Sequence, residues 1–596
     1  MQNNHSNNND FIFSHPAKQS FVVLLGCLLL FTYSTSFAQN KKVKVIINDT
    51  ILSSKQQKEL LSTSTNSSFI NIYNIIKNIN QQLYKNAYLT AHIDSIISDS
   101  TTYFLHYHLG KQIKWTNLTT KTIDEGILSK IGFRDKIYNN RPFNQNQLKR
   151  FFDKVISFYE NHGYPFASIQ LDSVQITDYN LSANLSINKK QLYKIDSVAI
   201  KGSATVSDDY IKNYIRINDE DIYNEELIKK INTRIKEIPF VEEQNPSKVI
   251  FNEESAYVLL VLKKKQANRF NGILGIVPDE AGKVRLNGDV KLNLMNSFKR
   301  GEEISFNWRA MQNNSQDLKL STAYPFLFNS PFGAEYQLNL YKRDSTYIDV
   351  FNKIGVRYIL KGNNYFNVFY HNKSSNLLSQ KGFETLTVLP DFADVSTQLY
   401  GIGIVYDQLD YIHNPRRGFS INANGSLGNK KISKNPQLNE QLYKDVNLKT
   451  NLYTAQANLA LYIPIKKRSV IKLGTQNGYT YNENLFDNEM LRIGGLHTLR
   501  GVDEESIFAS FYSITTIEYR FILEQNSFLY LFTDGAFWEK RTANAYSLDR
   551  PYSFGVGMNF ETNAGIFSIS YAVGKQFDNP IQFRSAKIHF GFINFF

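Results

Sequence analysis

Cysteine is nearly absent: the 596 residues contain one, Cys27. A single thiol excludes a disulfide framework and any Cys-rich zinc module. Tryptophan is scarce as well, with 3 against 36 tyrosines and 43 phenylalanines. The mean hydropathy of −0.35 argues against a bundle of membrane helices, each of which needs about 20 mostly apolar residues in a row. No P-loop, no Gly-x-Ser-x-Gly and no His-Glu-x-x-His occurs, so an enzyme built on those motifs is disfavoured. His106 and His108 share one strand face but have no third ligand nearby in sequence, and no metal site is expected of them. What the chain does have is 14% aromatic residues, 20% charged residues and a net charge of +13. A heavy aromatic load in a chain that is polar on average requires an architecture in which apolar and polar residues alternate. At about 100–200 residues per domain, the length allows some three to five units.

The N-terminus reads as an export signal. Lys18 precedes the apolar run 21–31 (FVVLLGCLLLF), and Ser36-Phe37-Ala38 offers a small-residue cleavage site before Gln39. That run is too short to span a bilayer, so residues 1–38 are expected to be removed as a signal peptide. Lipidation at Cys27 is the alternative, disfavoured because Leu28–Phe31 continue the run beyond it. Removal leaves a mature chain with no thiol, which suits an envelope protein. At the other end, Ile588, Phe590, Phe592 and Phe596 fall on one face of a strand. Lys587, His589 and Gly591 fall on the other, and Asn594 departs from the pattern.

Residues 39–266 carry a repeat. Ile72, Ile75, Ile76, Ile79 and Leu83 line one face of a helix, as do Leu148, Phe151, Phe152, Val155, Ile156 and Tyr159. Leu227, Ile228, Ile231, Ile235 and Ile238 do the same in a third helix. Each helix runs into an aromatic residue, Tyr88, Tyr164 and Phe240, at a constant spacing of 76 residues. Strands precede and follow each unit, Val43–Asn48 in the first and Leu192–Gly202 and Tyr257–Leu262 in the third. The β-α-α-β-β order with a Gly163-Tyr164-x-x-Ala167 turn resembles POTRA domains, periplasmic modules that bind polypeptides. Unit one has Ala87 where the turn has glycine, and unit three lacks the Gly-Tyr pair. The expected boundaries are 39–112, 113–190 and 191–266.

From about residue 267 the period changes from 3.6 to 2. Tyr453, Ala455, Ala457, Leu459, Leu461 and Ile463 alternate with Thr454, Gln456 and Asn458. Tyr336, Leu338 and Leu340 alternate with Gln337 and Asn339. Such alternation is the signature of a transmembrane β-barrel. At about 20 residues per strand and connection, residues 267–596 make about 16 antiparallel strands. Pro325–Gly333 (PFLFNSPFG) reads as a tight turn whose Phe326, Phe328 and Phe332 edge a bilayer interface. The basic runs Lys263-Lys264-Lys265 and Lys466-Lys467-Arg468 are assigned to anionic headgroups rather than to nucleic acid.

Leu491–Val502 reads LRIGGLHTLRGV. Its Gly494-Gly495-x-x-Thr498-Leu499-Arg500-Gly501 core is similar to the loop motif of the BamA/TamA superfamily of outer-membrane proteins. The resemblance implies that the loop folds back into the barrel and that Arg500 pairs with acids on the inner wall. Glu518 in Ile517-Glu518-Tyr519-Arg520 and Asp534 in Phe532-Thr533-Asp534-Gly535 are the matching acids. A planar guanidinium suits two carboxylates on neighbouring strands. The chain departs from the family at Val502, where an aromatic residue is usual, and at Gly535, one position early. Asp407, Asp410 and the Asn414-Pro415-Arg416-Arg417-Gly418-Phe419 turn extend the likeness.

The resemblance, closest to the TamA type, implies a membrane all-β barrel behind three α+β POTRA domains, in the outer membrane of a Gram-negative cell. The implied activity is insertion or export of substrate β-strands through a lateral seam between the first and last barrel strands. Gly272 and Gly275, followed by Pro278, make the first strand a poor partner, and Gly591 and Phe596 belong to the last. The expected partners are unfolded outer-membrane or autotransporter-like substrates, accessory proteins of the periplasm or inner membrane, and outer-membrane lipids. No cofactor, metal, nucleic acid or covalent catalysis is expected. A passive porin or receptor, and a two-partner secretion transporter, remain as alternatives.

Overall fold

The computed structural model describes residues 42–47, 69–138, 140–278, 284–310, 315–379, 386–542 and 545–596. The expected signal peptide lies outside them, as does the stretch that should hold the first helix of repeat one. Two compact units divide the chain, Met1–Gln191 and Leu192–Phe596.

Within the first unit, helix α1 (Phe69–Lys85) buries Ile72, Ile75, Ile79 and Leu83 against Leu105 and Tyr107. Those four residues recur at helical spacing, so one stripe faces a three-stranded sheet. The next repeat is complete. Strand Lys114–Thr119 leads to α2 (Glu125–Ile131), α3 (Gln145–Glu160) and strands Ser168–Thr177 and Asn180–Asn188. Asp124 caps α2 and Asn144 caps α3, each carrying a side-chain oxygen to orphan N–H groups of the first turn. The turn after α3 needs its glycine, because Gly163 sits at φ +93°. Ala87 holds a left-handed φ of +69° at the equivalent place. It is fully buried there, and its carbonyl accepts the Ile113 N–H at 2.8 Å.

In the second unit the same order recurs: strand Lys194–Lys201, α4 (Asp208–Ile215), α5 (Glu225–Glu237), then strands Val241–Phe251 and Ser255–Lys264. A closed antiparallel barrel follows. Its strands are β1 (Arg269–Pro278), β2 (Val284–Met295), β3 (Glu303–Ala310), β4 (Gln316–Tyr324), β5 (Phe332–Arg343), β6 (Tyr347–Lys361), β7 (Asn364–Leu377) and β8 (Val395–Leu409). They continue as β9 (Gly418–Ile432), β10 (Lys449–Lys466), β11 (Ser469–Tyr481), β12 (Phe511–Ile522) and β13 (Phe528–Arg541). β14 comes in two segments, Tyr546–Asp549 and Tyr552–Thr562, both paired with β13 and parted by Arg550-Pro551. Proline lacks the N–H that a continuous rung would need. β15 (Gly565–Lys575) and β16 (Lys587–Phe595) complete sixteen strands. The expected strand count and period both hold.

We call the barrel end that meets the preceding domain the near end and the opposite one the far end. Outward positions are apolar, as at Tyr400, Ile402, Leu459, Leu461, Ile588 and Phe590. The inner face is not uniformly polar. On β12 and β13 it carries Tyr512, Ile514, Phe528, Tyr530, Phe532 and Trp538, all buried. Side chains and the long β11–β12 loop fill the lumen there, so this wall resembles a protein core. The Pro325–Gly333 turn also divides differently from expectation. Phe328 is 97% exposed and Phe332 half-exposed, but Phe326 turns onto the preceding domain and packs on the rings of Tyr210 and Tyr214 at 5.6 and 6.5 Å. Gly301 in the β2–β3 turn lies beneath Tyr210, where a Cβ would come within 1.9 Å of the ring. Burial raises the pKa of both tyrosines and keeps them neutral at this joint.

Candidate functional site

The β11–β12 connection, residues 482–510, is the long loop singled out by its motif. It opens with a turn at Asp487–Glu489 that caps the far end: Asn488 donates to Ser375 Oγ and to the Ala393 carbonyl, at 2.6 and 2.8 Å. A short hairpin, Leu491–Ile493 paired with Ile507–Ala509, then carries the chain into the lumen. Gly494, Gly495 and Gly501 all have positive φ, from +81° to +117°. These left-handed positions explain the glycines. Gly501 has a second reason, since a Cβ would meet the Gly574 backbone nitrogen of β15 at 2.8 Å. Leu499 and Val502 are buried against Ile493, Ile507, Ile514 and Trp538. Valine therefore fills the place expected of an aromatic residue with an apolar side chain that packs well.

Between those two anchors Arg500 is held by both predicted acids. Its Nε and Nη2 donate to Asp534 Oδ2 and Oδ1 at 2.8 and 2.7 Å, and Nη1 donates to Glu518 Oε2 at 3.1 Å. Thr516, opposite Asp534 in the β12–β13 register, donates to its Oδ1 at 2.8 Å. The guanidinium also stacks over Phe532, 3.4 Å from the ring centroid. Exposure falls from 9% at Arg500 to 4% at Glu518 and 0% at Asp534. Buried charges persist only when paired and hydrogen-bonded, and removing one partner of such a pair costs about 3–5 kcal/mol.

Sequence reasoning missed how far this network reaches. Glu518 Oε1 accepts from Arg520 Nε at 2.7 Å, and Arg520 Nη1 donates to Asn414 Oδ1 at 3.2 Å. Asn414 in turn donates to the Gln525 carbonyl at 3.1 Å. A chain of ion pairs and hydrogen bonds thus joins the loop to two near-end turns, and it gives the Asn414-Pro415 turn a specific partner. Asp410 shapes that same turn by accepting the N–H groups of Arg416 and Arg417 at 2.9 and 3.1 Å. The signal available in sequence was Arg520 itself, two residues after Glu518 and therefore on the same inner face.

The seam is short. β1 matches β2 over ten register pairs and β15 matches β16 over seven. β1 and β16 share two, Arg269 with Phe595 and Phe270 with Asn594. Phe596 N–H adds a bond to the Asn268 carbonyl at 3.0 Å, and Asn268 Oδ1 accepts the Met295 N–H of β2 at the same distance. The structure therefore places Phe596 where the seam is joined. Gly272, Gly275 and Gly591 lie beyond the joined end, on stretches that have no register partner across it among the described residues. The ring of Phe270 folds over Gly272, 3.1 Å from where a Cβ would stand.

The Omp85 superfamily domain matches residues 296–596, and the POTRA model, described as a surface antigen variable number repeat, matches residues 193–261. No curated protein matches the chain. Among solved structures, CdiB from Acinetobacter baumannii aligns with a TM-score of 0.52 at 13% identity, covering 92% of this chain and 100% of its own. CdiB from Escherichia coli gives 0.51 at 12%, with the same coverage. BamA from Haemophilus ducreyi lacking POTRA domains 1–3 gives 0.43 at 14%, covering 82% of this chain and 100% of that one. At such identities the two CdiB structures speak to the fold.

Proposed function

Because the chain belongs to the Omp85 superfamily, whose barrels reside in the outer membrane, we propose that it is an outer-membrane assembly or translocation factor that handles substrate β-strands at its lateral seam. The two-pair ladder between β1 and β16 carries this reading. Unpaired strand edges are templates for an added strand, as in peptide recognition by sheet augmentation. An unfolded outer-membrane or autotransporter-like segment would pair with the free stretch of β1 by exchanging backbone hydrogen bonds, with no covalent step and no cofactor. The Arg500 lock holds the neighbouring β12–β13 wall still while the seam works. The repeats of 39–112 and 113–190 would serve with the matched POTRA domain as periplasmic receivers of substrate and accessory proteins; of the two, 113–190 has the β-α-α-β-β order in full.

A disulfide tests the seam directly. Continuing the observed register places Gly272 opposite Phe592, so Gly272→Cys with Phe592→Cys in a Cys27→Ser background locks the free stretch under oxidation. The locked protein should lose substrate assembly and regain it on reduction; undiminished assembly would rule the seam out. Depletion separates the other readings. An assembly factor takes other barrels out of the membrane inventory, whereas a porin or receptor takes solute uptake and leaves that inventory intact.

A further inference from the structure

Backbone pairing joins the seam at the near end, and the far end is bridged by side chains of the long loop. Its tip reads Asp503-Glu504-Glu505. On one flank, Asp503 lies 2.6 Å from Lys587 Nζ, at the far end of β16. On the other, Glu505 pairs with Arg309 Nη2 of β3 at 2.5 Å, and Glu504 with its Nη1 at 3.4 Å. Arg309 is fixed to its own wall by Asp317 of β4 at 2.8 Å. Arg492, at the base of the loop hairpin, reaches Glu505 from behind at 3.1 Å. Glu505 adopts φ +49°, a costly conformation for a residue with a side chain, and two guanidinium partners hold it there.

We propose that Asp503-Glu504-Glu505 is a clasp that closes the far half of the seam from inside the barrel, with Arg309 and Glu505 as the positioning residues that set how far it stands open. This inference rests on the seam reading above. Its two arms are unequal. The Asp503 and Lys587 side chains are 71% and 37% exposed, so their pair is hydrated and screened. The loop remains on that flank without it, through Gly501 against β15 and Arg500 on β12 and β13. The Arg309 and Glu505 side chains are only 14% and 17% exposed, and theirs is the shortest link from the loop across to β3. Release should therefore begin at Arg309–Glu505.

The test uses the full chain in membranes and the rate of oxidative cross-linking between Gly272→Cys and Phe592→Cys, with heat-modifiable mobility on gels reporting the folded barrel. Glu505→Gln and Arg309→Gln should each slow cross-linking several-fold by letting the strands part. Arg309→Lys should recover most of the rate, and Lys587→Gln should change it least. Unchanged or faster cross-linking in folded Glu505→Gln and Arg309→Gln overturns the clasp. Should those variants fail to fold, Glu504→Gln removes the exposed partner of Arg309 and must slow cross-linking about two-fold, with Arg309→Lys slower than the parent. Parental rates in both folded variants overturn the clasp. The seam reading fails separately, if the Gly272–Phe592 lock leaves assembly intact whatever the clasp variants do.

Discussion

Two regions of one barrel wall are built on opposite terms. Between β12 and β13 every residue from Phe511 to Ile522 has a register partner, the inner face is aromatic, and a buried arginine is fastened to both strands. Between β16 and β1 two pairs suffice, and the stretch beyond them contains Gly272, Gly275 and Gly591. Backbone pairing is the main currency of a barrel in lipid, where unpaired groups have no water to turn to. The barrel is closed, yet twelve register pairs join one strand pair and two join the other. The difference teaches that backbone pairing and side-chain bracing are allotted to one set of strands and largely withheld from another.

The comparison can be broken from the rigid side first. Arg500→Ala leaves Glu518 and Asp534 buried without their shared partner, a loss of about 3–5 kcal/mol. The folded, heat-modifiable fraction in urea should fall accordingly. Gly501→Ala comes next, since it sets a methyl group against the β15 backbone at a positive φ. About 1–3 kcal/mol of overpacking is expected, with a lower urea midpoint and unchanged transition slope. Thr516→Val removes one hydrogen bond to Asp534 and should cost about 1 kcal/mol. Asn268→Ala sharpens the other side of the comparison. It deletes the side-chain bond to Met295, so global stability should move least, by about 0.5–1.5 kcal/mol, while cross-linking across the seam changes. A stability loss at Asn268 as large as that at Arg500 would put the two regions on the same footing.

Much of this was legible in sequence because the relevant signals are local. Period-2 alternation announces strands wherever one face meets lipid, and the sixteen strands follow from it. Arg500, Glu518 and Asp534 could be matched because a glycine-rich motif and the next two strands are contiguous in the chain. Asn414 and Arg520 were not paired in advance: they lie 106 residues apart and meet only through strand register. Phe326 was misassigned for a related reason. A turn phenylalanine reads alike whether it faces headgroups or a neighbouring domain. The β1 glycines are in register with β2 along their whole stretch; the length of the ladder to β16 depends on both strands and on where their ends are tied, which composition does not encode.

Asn268 has a mechanical consequence. Four residues, 265–268, connect the last strand of the preceding domain to β1. Ala267 is buried in that domain's core, and Asn268 holds Phe596 with its carbonyl and β2 with its side chain. Phe326 against Tyr210 and Tyr214 supplies a pivot beside this short tether. A tilt of the domain about that pivot would act as a lever on the joined end of the seam. Under the proposed function, load from a substrate would reach the few bonds between the first and last strands as torque.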